Sequence, residues 1–296
     1  QNQTGGPETA DCWATFKDVF KQEYVELTGT KVWDDYENIF QLRPHFNGGK
    51  PLGITLEVTR YANGQGGGTG GIAAEILEEG VDYTLTWEDN SISNDGKNDT
   101  WTYTITGTKN NPLEAYAPNG MPWIYKVTET MTGGWDKIYD ANPNTATAQA
   151  EGDEEESPIS LEMNQSLKNS MTANVPYEKV WEDRDGHEIT EDYLGADLTV
   201  TFQAQVREAG TTNAWQNPED YFKGEDVLGE ERYKQMFKNG ASEFVQTKEA
   251  TINGTWNGQF KNLPAAIIKA EHWDELTSEI QTMNEIGEAP DTSILT

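Results

Sequence analysis

The sequence predicts an all-β protein of two tandem β-sandwich domains, and three observations carry that reading. Short runs rich in Thr, Val, Ile, Tyr and Trp alternate with a period of two between Gly/Asn/Asp clusters, at 54–60, 82–89, 100–107, 123–130 and 198–206. Helical patterns are weak and local, confined to 226–240 and 271–286. The word TKVWDD (30–35) recurs as EKVWED (178–183), each copy followed by a polar turn and a second strand, and this self-similarity sets the domain count.

The repeat divides the chain. One β-unit runs from 22 to 173 and a second from 174 to 296, the latter incomplete or divergent toward its C-terminal end. WTYTITG (101–107) and WNGQFKNLP (256–264) take equivalent later places in the two copies. Residues 1–21 are expected to be the end of a preceding unit or a linker, and the opening QNQTGGPETAD reads as a cut edge of something longer. So little sequence separates the units that a rigid head-to-tail rod is expected, with an insertion at about 208–250 decorating the second sandwich.

Composition excludes several classes. With 296 residues, 35% apolar and 24% charged, the chain is long enough for two cores and too apolar for disorder. A net charge of −30 argues against nucleic acid and anionic membranes and suits an extended chain that must stay soluble. No apolar run is long enough to cross a membrane as a helix. One cysteine, Cys12, allows no internal disulfide; it reads as a free or buried thiol rather than a thioester donor. The glycine-rich loop 62–71 lacks the Lys-Ser/Thr and helix opening of a phosphate cradle. His45, His187 and His272 show no ligand spacing, and the acidic turns 89–99 and 182–188 do not keep a calcium-loop pattern, so no metal or cofactor is expected.

Strand parity exposes a polar anomaly. Side chains two apart share a face, which groups Lys31 with Val25, Leu27, Gly29 and Trp33, and Lys179 with Val175, Tyr177 and Trp181. Glu129 shares a face with Trp123, Tyr125 and Val127; Asn169 shares one with Leu161, Met163, Leu167 and Met171. A buried ammonium is driven to lose its proton, and a neutral amine is a nucleophile. If the three converge, Lys31 can attack the Asn169 carboxamide while Glu129 polarises the carbonyl and relays protons. Ordinary snorkelling, an edge position or a single bulge would equally account for each residue taken alone.

The words TKVWDDYENIFQLRP (30–44), ITLEV (54–58) and WTYTITGTKNNPLEAYAPNGMPWIYKVTE (101–129) resemble the B-type repeat domain of Gram-positive collagen adhesins and pilins. The resemblance extends to 177–183 and 251–264 in the second copy. It implies inverse immunoglobulin-like sandwiches whose first and last strands lie side by side, often joined by a Lys–Asn isopeptide bond that an acid on a middle strand assists. By position, Lys31 matches the lysine, Glu129 the acid and Asn169 the acceptor; Ser170 stands where the family commonly has Thr, and Asn164 and Asn174 lie close as alternative acceptors. In the second unit only Lys179 carries over as a possible second cross-link lysine, and no completed bond is expected there.

The function expected from this resemblance is a structural stalk of a bacterial surface adhesin or pilin. It would be extracellular and attached to the cell wall through parts of a parent protein outside this chain, with neighbouring repeats as partners. No enzyme activity is expected beyond autocatalytic bond formation. The alternative is an adhesin module that binds a host matrix protein or glycan, which an exposed cluster among Trp135, Trp215 and Trp273 would favour.

Overall fold

β-branched and aromatic residues on a two-residue period build most of the regular structure of this computed structural model, which describes residues 22–64, 70–89, 99–151, 158–189, 198–250, 256–273 and 275. Cys12, the rest of 1–21 and the helical pattern beyond 275 lie outside the described residues. β1 (Val25–Asp34) buries every second side chain: Val25, Leu27, Gly29, Lys31 and Trp33. A short hairpin follows, β2 (Phe46–Asn47) and β3 (Lys50–Pro51), turning over Gly48 and Gly49 at positive φ. Next come β4 (Ile54–Ala62), β5 (Ile72–Leu77), β6 (Tyr83–Asp89), β7 (Thr100–Gly107) and β8 (Ile124–Met131). β9 (Asp140–Ala141), β10 (Thr145–Gln149), β11 (Ile159–Glu162) and β12 (Leu167–Ser170) complete the first region. β5, β9 and β10 have no counterpart among the strands read from the sequence, being short or only weakly alternating, whereas β11 and β12 divide the single strand expected over 159–171.

These strands form two sheets around one core. The first has the order β6–β7–β1–β12–β9, with β11 also beside β1; the second has the order β10–β8–β4–β5. β1 is antiparallel to β7 but parallel to β11 and β12, so the first strand of the region lies directly against its last. Inward residues of both sheets, among them Trp33, Trp101, Tyr103, Tyr125 and Val127, belong to a single hydrophobic cluster. Each large side chain buried in this way contributes about 2–3 kcal/mol of transfer free energy.

The second region is more fragmented. It comprises β13 (Thr172–Glu178), β14 (Leu198–Gln203), α1 (Pro218–Phe222), α2 (Gly229–Met236), β15 (Val245–Ala250) and β16 (Asn257–Pro264). β13 pairs with β16 and β14 with β15, both antiparallel, as two separate two-stranded sheets. α2 lies inside the helical pattern at 226–240, whereas α1 was not read from the sequence; Pro218 opens it and the Asn217 side chain caps Glu219 N–H. The last residues of the expected insertion, 245–250, are strand β15 rather than decoration, because they hydrogen-bond along β14.

Only Met171 separates β12 from β13. Around this junction the Asp34 carboxylate accepts from Thr172 Oγ1 at 3.0 Å and pairs with Lys168 Nζ at 2.6 Å. Tyr36 donates to the Asn262 carbonyl at 2.9 Å and packs on Phe237, with ring centroids 6.3 Å apart. Tyr36, Glu37 and Asn38 all hold left-handed φ near 57–59°, a conformation disfavoured for residues with a Cβ. Asp35 supports that turn by accepting from Asn38 N–H at 3.1 Å. The phenylalanines of the helical segment, Phe222, Phe237 and Phe244, join the same core cluster as the first region.

Candidate functional site

The parity of β1 and β8 aims a lysine and a glutamate inward. Lys31 and Asn169 are 0% exposed and Glu129 is 2% exposed. The burial pattern along β8 puts Glu129 on the face of Tyr125, Val127 and Met131, as alternation requires. β11 and β12 are two strands rather than one, yet Leu167 and Asn169 of β12 both point inward. Asn164 and Asn174, the neighbouring acceptor candidates, are exposed.

The three side chains come from three strands and two sheets. Lys31 Nζ lies 3.4 Å from Glu129 Oε2, spanning from β1 to β8. It also lies 4.4 Å from the centroid of the Trp33 ring and 3.4 Å from the Val32 carbonyl oxygen. Parallel register places Lys31 opposite Leu167 and Trp33 opposite Asn169. Lys31 and Asn169 are therefore diagonal neighbours on one face, with Cα atoms about 8 Å apart from the usual strand spacing and rise, within the span of the two side chains. Asn169 Nδ2 donates to Met131 Sδ at 2.8 Å, two residues beyond Glu129 on the same face of β8.

Hydrogen bonding in this pocket is incomplete. Neither Glu129 oxygen accepts a hydrogen bond despite the nearby ammonium, and Asn169 Oδ1 has no partner. Unmet buried polar groups are rare in folded proteins and mark either a cost or a chemical role. Burial lowers the Lys31 pKa from 10.5 to about 8, against the opposing pull of the Glu129 charge. A useful fraction of the amine is then neutral near neutral pH. Chemically, the set can place an uncharged amine beside a carboxamide carbon, with a carboxylate to move the proton.

A second buried ion pair stands apart from this set. Arg43 grips Asp35 in a two-pronged contact at 2.7 and 2.5 Å, and it also pairs with Asp99. Tyr139 donates to Asp35 at 3.2 Å. Burial opposes the Arg43 charge, but the Asp35 and Asp99 carboxylates outweigh it and hold the guanidinium ionised. In the sequence Asp35 and Arg43 belong only to the motif words at 30–44, and nothing in their spacing marks the pairing.

Lys179 repeats the local geometry of Lys31 without its surroundings. Its Nζ donates to the Val180 carbonyl at 3.0 Å and sits 4.5 Å from the Trp181 ring centroid. Lys31 lies opposite Trp101, and Lys179 N–H bonds the Trp256 carbonyl. The two tryptophan pairs, Trp33–Trp101 and Trp181–Trp256, are both edge-on. Lys179 is nonetheless only half-buried, and among the described residues β13 has β16 as its one paired strand. Among the described residues no acid or amide is shown beside Lys179 as Glu129 and Asn169 are placed around Lys31.

The tryptophans expected as a possible exposed cluster differ in burial. Trp135 is fully buried and donates to the Leu42 carbonyl, Trp273 is half-buried under Arg232, and Trp215 is 55% exposed beneath Arg207. Among the described residues no group of His, Cys, Asp and Glu could hold a metal ion. No described helix is long and apolar enough to cross a membrane. Compared with known proteins, the chain matches no family model, no characterised sequence and no solved structure.

Proposed function

We propose that the chain is a piece of the stalk of a bacterial surface adhesin or pilin, built of tandem inverse immunoglobulin-like sandwiches, the first closed by an isopeptide bond between Lys31 and Asn169. The observation that supports this reading is the fully buried meeting of Lys31, Glu129 and Asn169 between the first and last strands of one core. In the reaction, neutral Nζ attacks Asn169 Cγ. Glu129 takes the proton released by the amine and delivers it to Nδ2. The Cγ–Nδ2 bond breaks, ammonia leaves, and an Nζ–Cγ amide remains; no electrons are exchanged with another reactant. The pair replaces a buried charge by a neutral amide, removing a desolvation penalty that an ion pair only partly offsets.

A covalent link between parallel neighbours β1 and β12 suits a load-bearing module. Pulling on the two ends of the region would strain the amide instead of shearing the ladder between these strands. The extracellular, wall-attached placement and the neighbouring repeats as partners belong to the same proposal. With Trp135 fully buried and Trp273 half-buried, the expected exposed tryptophan cluster is not formed, and the ligand-binding alternative has no specific support. Intact mass spectrometry of the folded, then denatured chain tests the bond: the protein is expected one ammonia lighter than its sequence, and the deficit vanishes in Lys31→Ala. A full sequence mass in the wild type refutes the proposal.

A further inference from the structure

Two residues before each lysine, both regions place a tyrosine ring against a glycine, with the partners exchanged between strands. In the first, Gly29 of β1 faces Tyr103 of β7; in the second, Tyr177 of β13 faces Gly258 of β16. The contact is intimate in both. A Cβ on Gly29 would come within 2.2 Å of the Tyr103 ring and hydroxyl, and one on Gly258 within 2.4 Å of the Tyr177 hydroxyl. Glycine is therefore required so that the ring can lie across the strand beside the lysine.

The two hydroxyls differ in what they meet. Tyr177 donates to Gln246 Oε1 of β15, in the other two-stranded sheet, at 2.6 Å. Tyr103 is 0% exposed, and its hydroxyl has no hydrogen-bond partner. In the first region the sheet across the core contributes its own unmet acceptor, the Glu129 carboxylate. A buried donor and a buried acceptor, each lacking a partner in one core, lose free energy until they pair. The Tyr103 hydroxyl already feels this carboxylate: burial first, and the Glu129 charge second, push it well above its ordinary value.

We propose that Tyr103 is a positioning residue for Glu129, its hydroxyl donating a hydrogen bond that orients the carboxylate for proton relay between Lys31 and Asn169. This rests on the cross-link reading above. The amide-forming step is unchanged: Tyr103 keeps its proton, while Glu129 carries the one that passes from Nζ to Nδ2.

Tyr103→Phe deletes only the hydroxyl and keeps the ring over Gly29. Full-length chain is synthesised in a cell-free system, sampled over time, quenched in denaturant and weighed. The variant is expected to lose ammonia about tenfold more slowly than the wild type, the effect of one lost hydrogen bond to a charged group. Equal rates overturn the role. A wild type that never loses ammonia refutes the cross-link itself, and the pairing is then read separately. With 13C at tyrosine Cζ in a Lys31→Met chain, which cannot cross-link, the Tyr103 resonance is expected to move when Glu129→Gln is added. An unmoved resonance overturns the assignment whether or not the bond forms.

Discussion

Replacing Lys31 with methionine removes the nucleophile while keeping an unbranched side chain that can fill the same space. Lys31 and Asn169 stand 138 positions apart, so a bond between them closes nearly the whole first region into one loop. The chain-entropy relation for cross-links then assigns the bond about 5 kcal/mol, through restriction of the unfolded state. Losing it should lower the melting temperature of the first region by about 10–20 °C, given the usual sensitivity of a domain this size. The native contacts of Trp33 and Leu167 are retained, so the loss reports on the unfolded chain and not on a cavity. Scanning calorimetry paired with intact mass on the same samples measures both quantities. A Lys31→Met chain that still weighs one ammonia less refutes the assignment of the nucleophile. A full-mass variant that melts with the wild type refutes the entropic magnitude.

Four further outcomes follow from the same geometry. Bond formation should accelerate as pH rises toward 8 and flatten above it, because the reactive amine is the neutral form of a lysine lowered to about 8; a rate flat from pH 6 to 8, followed by mass spectrometry, contradicts this. In Asn169→Ala, which retains Lys31 but cannot cross-link, the folded pKa lies below the unfolded 10.5, so the unfolded state binds more protons between these values. Its stability should therefore rise by about 3 kcal/mol between pH 8 and 10.5, relative to Lys31→Met/Asn169→Ala, in urea titrations; parallel curves would exclude a depressed Lys31. Lys179→Met should leave the ammonia deficit intact, since the half-buried Lys179 has no described acid or amide beside it; loss of the deficit would place the bond in the second region. Asp35→Asn should cost about 3 kcal/mol in denaturant unfolding by removing the charge that the buried Arg43 guanidinium grips with two hydrogen bonds, and a change within error would show the pair to be dispensable.

Much of the first region was legible because its chemistry is local. Alternation along Val25–Asp34 and Ile124–Met131 is set by each strand's own pleat, so the inward direction of Lys31 and Glu129 could be read without a partner strand. The recurrence of Lys-Val-Trp is matched in the structure by like cation–ring and tryptophan–tryptophan contacts in the two regions. The two-residue β9 is too short to carry a period, and the Ile-Ala-Ala-Glu-Ile-Leu sequence of β5 does not alternate apolar with polar residues.

What one strand cannot encode is its neighbour. Parity says that Lys31, Glu129 and Asn169 point toward an apolar side, but their convergence depends on β12 running parallel beside β1 and on β8 crossing from the opposite sheet. The same holds for Arg43 reaching Asp35 and for Tyr103 lying over Gly29, pairs joined only by the turn and the register that bring them together. The two lysines show the division most clearly. Their sequence words are nearly identical and their local contacts match, yet Lys31 is sealed in a core with an acid and an amide while Lys179 is half-exposed. Sequence alone determined which faces carry misplaced polar residues, because side-chain direction is a property of the strand. Tertiary structure decided which of those residues meet and lose their water, because desolvation and proximity are properties of the neighbours.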